Sequence, residues 1–331
     1  MNKTNSWQRC LKCVDTAKEY IAAPENYIRF FDVTINGKLR HLVTYMPNES
    51  GAALRILHNN VAEFLQTKYR QARSSYAYAK GKSFLQCVNR HLNSDCFLKT
   101  DIHSYFDSIS YDFMLKRIAK LRMPQKDRDI LGLLVKACFY KGKLPLGYTS
   151  SPVLSDFFLV TLDRKYQKNK SIIYTRYADD FIVSTSGIDA RKELKEFRLQ
   201  LEKDLDKLDL ELNKKKTYIR QLKEPGDAIH VLGINIVKTD KEQNRITISD
   251  GYIRETCKLL CEWLRSPCSD DDENELLKLY GRISFIKQCS QDSFAKLKKM
   301  TRIKCDYSGP LTIKALRIKR GFYKTEDRDV V

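Results

Sequence analysis

The run TRYADDF places two adjacent carboxylates, Asp179 and Asp180, between the apolar stretches IIYTRYA (172–178) and FIVST (181–185), where a hairpin turn is expected. Aspartate also favours turns for purely structural reasons, so this pair alone admits a bland reading beside a catalytic one. A third carboxylate, Asp101, ends a separate apolar run, CFLKTD, and is followed by IHSYFDSIS. Two strand ends that bring three carboxylates together make a site for divalent cations, because Mg²⁺ takes hard oxygen ligands and leaves its other positions to water and substrate phosphate. A pair of such ions, about 3.5–4 Å apart, stabilises both the attacking and the leaving oxygen of a phosphoryl displacement. The chemistry to which these residues point is nucleotidyl transfer.

The composition agrees. The 331 residues carry 60 Lys and Arg against 41 Asp and Glu, a formal charge of +19, while a hydrophobic fraction of 42% supports a sizeable core. A disordered polycation is thereby excluded. Nucleic acid is the commonest partner of a folded protein with such an excess; an anionic membrane, an acidic protein or solubility alone are the competing readings. No stretch has the length and apolarity of a membrane span, and MNKTNSWQRC lacks the apolar core of a secretory signal, so a cytoplasmic location and no membrane partner are expected. The cysteines fall mostly within apolar patterns, such as Cys138, Cys257 and Cys261, and read as small buried thiols. Cys10 and Cys13 have the spacing of half a zinc knuckle, with no second pair to complete it.

Helices are predicted over 51–72, with Leu54, Leu57, Val61, Phe64 and Leu65 facing a core; over 126–139, with Ile130, Leu133, Leu134, Ala137 and Cys138; and over 189–208, with Leu194, Phe197, Leu201, Leu205 and Leu208. Strand-like runs lie at 97–102, 172–178, 181–185, 230–237 and 245–249. The alternation lacks a regular βαβα period, so the expected fold class is α+β with an antiparallel sheet. From about residue 250 the pattern turns helical. Its acidic loop SDDDENE (269–275) reads as a solvated turn with helix-start charges.

In order along the chain, DIHSYFDSI (101–109), LPLGYTSSPVLSD (144–156), YADD (177–180), LNKKKT (212–217) and HVLGINIV (230–237) resemble the palm and primer-grip motifs of bacterial reverse transcriptases. GKLRHLVTY (37–45) and SYAYAKGKSFLQCVNRH (75–91) resemble that family's fingers. The resemblance covers roughly residues 30–240. It implies a right-hand polymerase with an N-terminal extension and fingers over 1–96, a palm over 97–240 that includes fingers helices at about 112–140, and a helical thumb with a basic C-terminal extension over 241–331.

The resemblance also assigns roles. Asp101, Asp179 and Asp180, with Ile102, would hold two Mg²⁺ ions, Mn²⁺ being an alternative. Phe106 matches a steric gate against a ribose 2′-hydroxyl, although a core aromatic beside Tyr105 is the other reading. Arg40, assisted by Lys38, matches the triphosphate-binding position, where a planar fork suits phosphate oxygens. Gly147 and Tyr177 complete the nucleotide pocket, with Ser151 where backbone nears the nascent pair. Lys216 matches a lysine proposed to protonate pyrophosphate, although KKK also reads as a solvated basic run. Leu232 and Gly233 would grip the primer. Lys287, Lys296, Lys298, Lys299, Arg302 and Lys304, then Lys314, Arg317, Lys319 and Arg320, would hold duplex backbone.

This chain departs from the family in carrying Leu146 where LPQG has Gln, and in keeping only His91 of a retron-type NAxxH and only Gly233 of VTG. These departures tilt the resemblance toward defence-associated enzymes that share a retron-like core. The expected activity is RNA-directed DNA synthesis on an associated noncoding RNA, with dNTPs as substrates, in antiphage defence. A retron enzyme and a template-independent or protein-primed transferase on the same palm stand as alternatives, and an idle RNA-binding scaffold as a third. A homo-oligomer or an effector protein is a possible further partner.

Overall fold

The structure is a computed structural model describing residues 3–35, 37–241, 243–265 and 272–320. It separates into two compact units, Met1–Gln221 and Leu222–Val331.

The first unit opens with helices α1 (Lys3–Leu11) and α2 (Val14–Ala22), neither of which the sequence pattern announced. A hairpin follows, β1 (Ile28–Ile35) paired antiparallel with β2 (Lys38–Tyr45), then the long helix α3 (Glu49–Lys68). Asn48 caps α3 by accepting from the amide of Gly51. Leu54, Leu57, Val61, Phe64 and Leu65 are all buried, as the predicted periodicity requires, each contributing about 1.5–3 kcal/mol of transfer free energy. The short helix α4 (Phe84–Asn89) begins in a reciprocal capping box between Ser83 and Gln86. Strand β3 (Cys96–Asp101), helices α5 (Tyr105–Ser108), α6 (Tyr111–Ala119), α7 (Gln125–Lys136) and α8 (Ser151–Tyr166), the hairpin β4 (Ile173–Tyr177) and β5 (Asp180–Thr185), helix α9 (Ala190–Asp206) and strand β6 (Tyr218–Gln221) complete the unit.

The four-stranded sheet has order β4-β5-β3-β6 and every pairing in it is antiparallel. Helices α8 and α9 pack on its strands, and α4 packs on β4. Helix α7 buries Leu131, Leu134 and Val135, with Ile130 and Leu133 only partly covered. Its apolar face is thus broader than the predicted stripe, because α2, α3 and α6 all pack on it.

In the second unit β7 (Ala228–Val231), β8 (Ile234–Val237) and β9 (Arg245–Thr247) form an antiparallel sheet, followed by helices α10 (Asp250–Arg265), α11 (Asp272–Cys289), α12 (Gln291–Cys305) and α13 (Ile313–Arg320). The stretch 230–237, a strand-like run by pattern and a primer-grip hairpin by resemblance, is a hairpin that turns at Leu232 and Gly233, whose φ values of +48° and +84° close a two-residue turn. Positive φ at both centres is the geometry that matches strand twist. Helix α10 buries Ile253, Thr256, Cys257, Leu260 and Cys261 along one face. Residues 269–271 of the acidic loop lie outside the described residues, and Asp272 starts α11.

The expected burial of thiols is found at Cys10, Cys13, Cys138, Cys257 and Cys261. Among the described residues no helix is long and apolar enough to cross a membrane.

Candidate active site

Strand pairing brings the three aspartates together. Asp101, the last residue of β3, lies opposite Asp180, the first of β5. Asp179 occupies the two-residue turn between β4 and β5, where Tyr177 pairs with Asp180. A backbone hydrogen bond of 3.2 Å from the Ile102 amide to the Asp179 carbonyl ties the turn to the end of β3, and the Asn213 amide donates to the Asp101 carbonyl at 2.8 Å. The LNKKKT segment is thereby laid alongside β3. Of its lysines, Lys216 is the one whose Nζ donates to Oδ2 of Asp101, which sets a register that the sequence left open.

The electrostatics follow from crowding. Burial, reinforced by the charge of Asp179, pushes the Asp180 carboxyl up to about 6, against the opposing pull of Lys99. Burial also raises Asp179; its own backbone amide lowers it, Asp101 raises it, and Lys216 and Arg40 lower it. Arg40, exposed on β2, is therefore near enough for its charge to be felt at the turn. The hydrogen bond to Asp101 holds the Lys216 ammonium above its usual range, with burial acting the other way.

Asp101 is 3% exposed and its Oδ1 is buried with no hydrogen-bond partner. A buried carboxylate oxygen without a donor is costly, and a hard divalent cation is a partner that would satisfy it. Among the described residues no three carboxylate, imidazole or thiol groups stand as a ready-made metal cage; in this arrangement Lys216 occupies the other Asp101 oxygen. Donor type and the unmet oxygen nevertheless fit divalent ions held by Asp101, Asp179 and Asp180.

Phe106 is partly exposed, whereas its neighbour Tyr105 is buried and donates to the Ser155 carbonyl at 2.6 Å. Phe106 packs against the core from its edge, and its ring meets that of Tyr105 edge-on with centroids 5.9 Å apart. Gly147 has φ +111°, and a Cβ there would sit 2.0 Å from the Val43 carbonyl oxygen. The adjacent Leu146 carbonyl accepts from the Val43 amide at 2.9 Å, and the Tyr45 hydroxyl accepts from the Thr149 amide at 2.9 Å, so the β1–β2 hairpin is joined to the 144–151 loop by a backbone bond and a side-chain bond. Ser151 turns inward, its hydroxyl donating to the Pro145 carbonyl at 2.6 Å. Lys38 is the first residue of β2, but its side chain lies outside the described residues, as do those of Lys319 and Arg320.

Leu232 and Gly233 belong to the second unit, at the β7–β8 turn. There Lys287, Lys298, Lys299, Arg302, Lys304 and Lys314 are exposed, while Lys296 and Arg317 are engaged by Asp250 and Glu273.

Two residues near the aspartates carry roles that sequence reasoning missed. Lys99 precedes Asp101 by two on β3 and so shares its face; that spacing was the available signal. Arg176, wholly buried behind the turn, was marked only by its charge within an apolar strand. The surviving His91 of the retron-type motif is buried too, with ring nitrogens 2.7 Å from both Ser184 Oγ and Thr175 Oγ1, clipping β5 to β4 rather than facing a ligand.

The four-stranded antiparallel sheet, with helices packed on it and carboxylates at two of its strand ends, has the α+β architecture of a right-hand polymerase. Residues 36–236 match the family model described as reverse transcriptase (RNA-dependent DNA polymerase), and the chain belongs to that family. It is an RNA-directed DNA polymerase of the bacterial, retron-like kind. Among curated relatives, the retron Ec73 reverse transcriptase of Escherichia coli is 26% identical over 86% of this chain and 89% of its own length. The retron Ec86 enzyme of the same organism is 27% identical over 62% of this chain and 63% of its own. Among solved structures, telomerase from Candida albicans in complex with a fragment of telomeric RNA has a TM-score of 0.49 at 11% identity, over 88% of this chain and 62% of that one.

Proposed function

We propose that this polymerase copies an associated noncoding RNA into DNA at Asp101, Asp179 and Asp180, and that it serves antiviral defence in a bacterial cell. The observation that carries the site assignment is the Asp101 carboxylate, buried opposite Asp180 with one oxygen unmet. Divalent ions held by the three aspartates would supply charge neutralisation for the attacking and leaving oxygens. Arg40 binds the triphosphate as a bidentate phosphate donor. Phe106 excludes a 2′-hydroxyl, Gly147 lets backbone approach the nascent pair, and Lys216 keeps a cation against Asp101. The exposed lysines of α12 hold duplex phosphates, and the Leu232–Gly233 turn contacts the primer.

The kinship with retron enzymes supports an RNA partner transcribed with the protein. The defence role rests on the retron-like core together with three departures: Leu146, the loss of NAxxH except for His91, and the loss of VTG except for Gly233. The fold of the palm into a three-domain hand, with fingers over 1–96, palm over 97–240 and thumb over 241–331, belongs to the same proposal.

The test is incorporation of dNTPs by the full chain with Mg²⁺, its co-purified RNA and a primer. Wild type should extend the primer and Asp179→Ala should not; equal extension by both would sink the assignment. Omitting the template separates copying from template-free transfer. Sequencing the nucleic acid that copurifies identifies the RNA.

A further inference from the structure

Behind the turn that carries the aspartates lies a buried ion cluster. Arg176 has no exposure at all. Its Nε donates to Asp163 Oδ1 at 2.9 Å, and its Nη2 donates to Asp163 Oδ2 at 2.5 Å and to Asp156 Oδ1 at 2.8 Å. Asp156 and Asp163 are seven residues apart on α8, which puts them on one helix face. Tyr174 adds a donation to Asp163 at 2.7 Å, and Ser75 one to Asp156 at 2.5 Å. The guanidinium is thus fixed from two sides before its last donor is considered.

That donor is Nη1, which bonds the Ala178 carbonyl at 2.8 Å. Ala178 is the first residue of the two-residue turn and has φ +55°, a left-handed conformation that glycine adopts freely and alanine does not. Strain of this kind persists only when surrounding contacts over-determine it. The backbone of Arg176 is held as well: its amide donates to the Ser74 carbonyl at 2.8 Å, and its carbonyl accepts from Tyr76 at 2.9 Å. The loop 72–75 is in turn closed by Lys82, whose ammonium reaches the carbonyls of Ala72, Arg73 and Ser75.

We infer that Arg176 is a positioning residue for catalysis: its buried guanidinium holds Ala178 in the left-handed conformation and so fixes where Asp179 and Asp180 point. It touches no substrate. The inference rests on the polymerase reading above, and adds that the aim of the aspartates is set by a charge cluster beneath them and by the loop closed by Lys82.

The experiment uses Arg176→Lys in the full chain. Lysine keeps the positive charge between the two carboxylates but lacks the fork that reaches a third acceptor. Hydrogen exchange in the nucleotide-free protein should quicken over residues 177–181 and remain unchanged along α8. With Mg²⁺ and primed RNA, kcat should fall about 10- to 100-fold while the dNTP KM stays within about twofold, the pattern of misaimed rather than lost groups. Adding Ala178→Gly, which needs no help to reach positive φ, should restore part of that kcat. Should R176K not fold, Arg176→Gln with Asp163→Asn removes both charges together and carries the same measurements. Full activity in the folded variant, unchanged exchange over 177–181, or no rescue by A178G would overturn the assignment. If wild type itself incorporates nothing, the polymerase reading falls, and the exchange result still decides for or against the arginine.

Discussion

Lys216 donates to one oxygen of Asp101, 115 residues earlier in the chain, while the other oxygen of that carboxylate is buried without a partner. The lysine therefore sets a positive charge directly against the carboxylate proposed to hold the divalent ions. Replacing it with methionine should lower primer extension about 10- to 100-fold, the range of a lost proton donor or charge partner. Lys216→Arg separates the two: retention of most activity means that charge against Asp101 suffices, and a loss equal to that of K216M means that a transferable proton is needed.

Phe106 stays partly exposed because Tyr105 takes the buried position beside it. Phe106→Ala should raise ribonucleotide incorporation relative to deoxyribonucleotide by about 10- to 100-fold, as expected when a pocket stops rejecting one hydroxyl. Competition between dNTP and rNTP on one template measures it, and an unaltered ratio would remove Phe106 from the gate.

Gly147→Ala should destabilise the first unit by about 2–4 kcal/mol, since it combines a left-handed φ with a steric overlap against backbone. Its Cβ would meet the Val43 carbonyl oxygen at 2.0 Å, and no side-chain movement relieves that. Thermal unfolding should show a clear fall in Tm; a change under about 1 kcal/mol would contradict the close approach.

Two buried histidines predict an acid sensitivity. Burial lowers His91 to about 3 and His58 to about 4, from 6.5. Both are neutral in the fold and protonate more readily once unfolded, so stability is intact above the unfolded value of 6.5. It is lost as pH falls toward about 4 for His58 and about 3 for His91, by about 1.4 kcal/mol per pH unit for each. Denaturant midpoints measured between about pH 7 and pH 4 should decline, and His91→Gln should flatten the slope. A slope unchanged in H91Q would mean that folding does not lower the affinity of this ring for a proton.

The aspartates were legible because type and position were both informative: a carboxylate at the end of an apolar run can be placed from its neighbours along the chain alone. Helix α3 was legible for a similar reason, five apolar residues at helical spacing. Helix α8 was not, since it is buried on nearly every side and shows little polar face, with Leu154, Phe157, Phe158 and Leu159 all inside. The break at Leu232 was hidden from the residue pattern, because leucine is a poor advertisement for positive φ, and only the resemblance to a primer-grip hairpin pointed to it. Arg176 was hidden more deeply, because its meaning lies in Asp156 and Asp163, carboxylates that no local pattern links to it. Lys216 could be named but not told from its two neighbours until the Asn213 amide fixed the register against β3.

The joint between Val43 and Leu146 is made of an amide and a carbonyl, with nothing contributed by the side chain at 146. That position can exchange a polar amide for an aliphatic group while the hairpin stays docked at the same height. A substitution at 146 keeps that bond, whereas one at Gly147 would drive a Cβ into the Val43 carbonyl. A position that tolerates change and one that forbids it are separated by a single peptide bond.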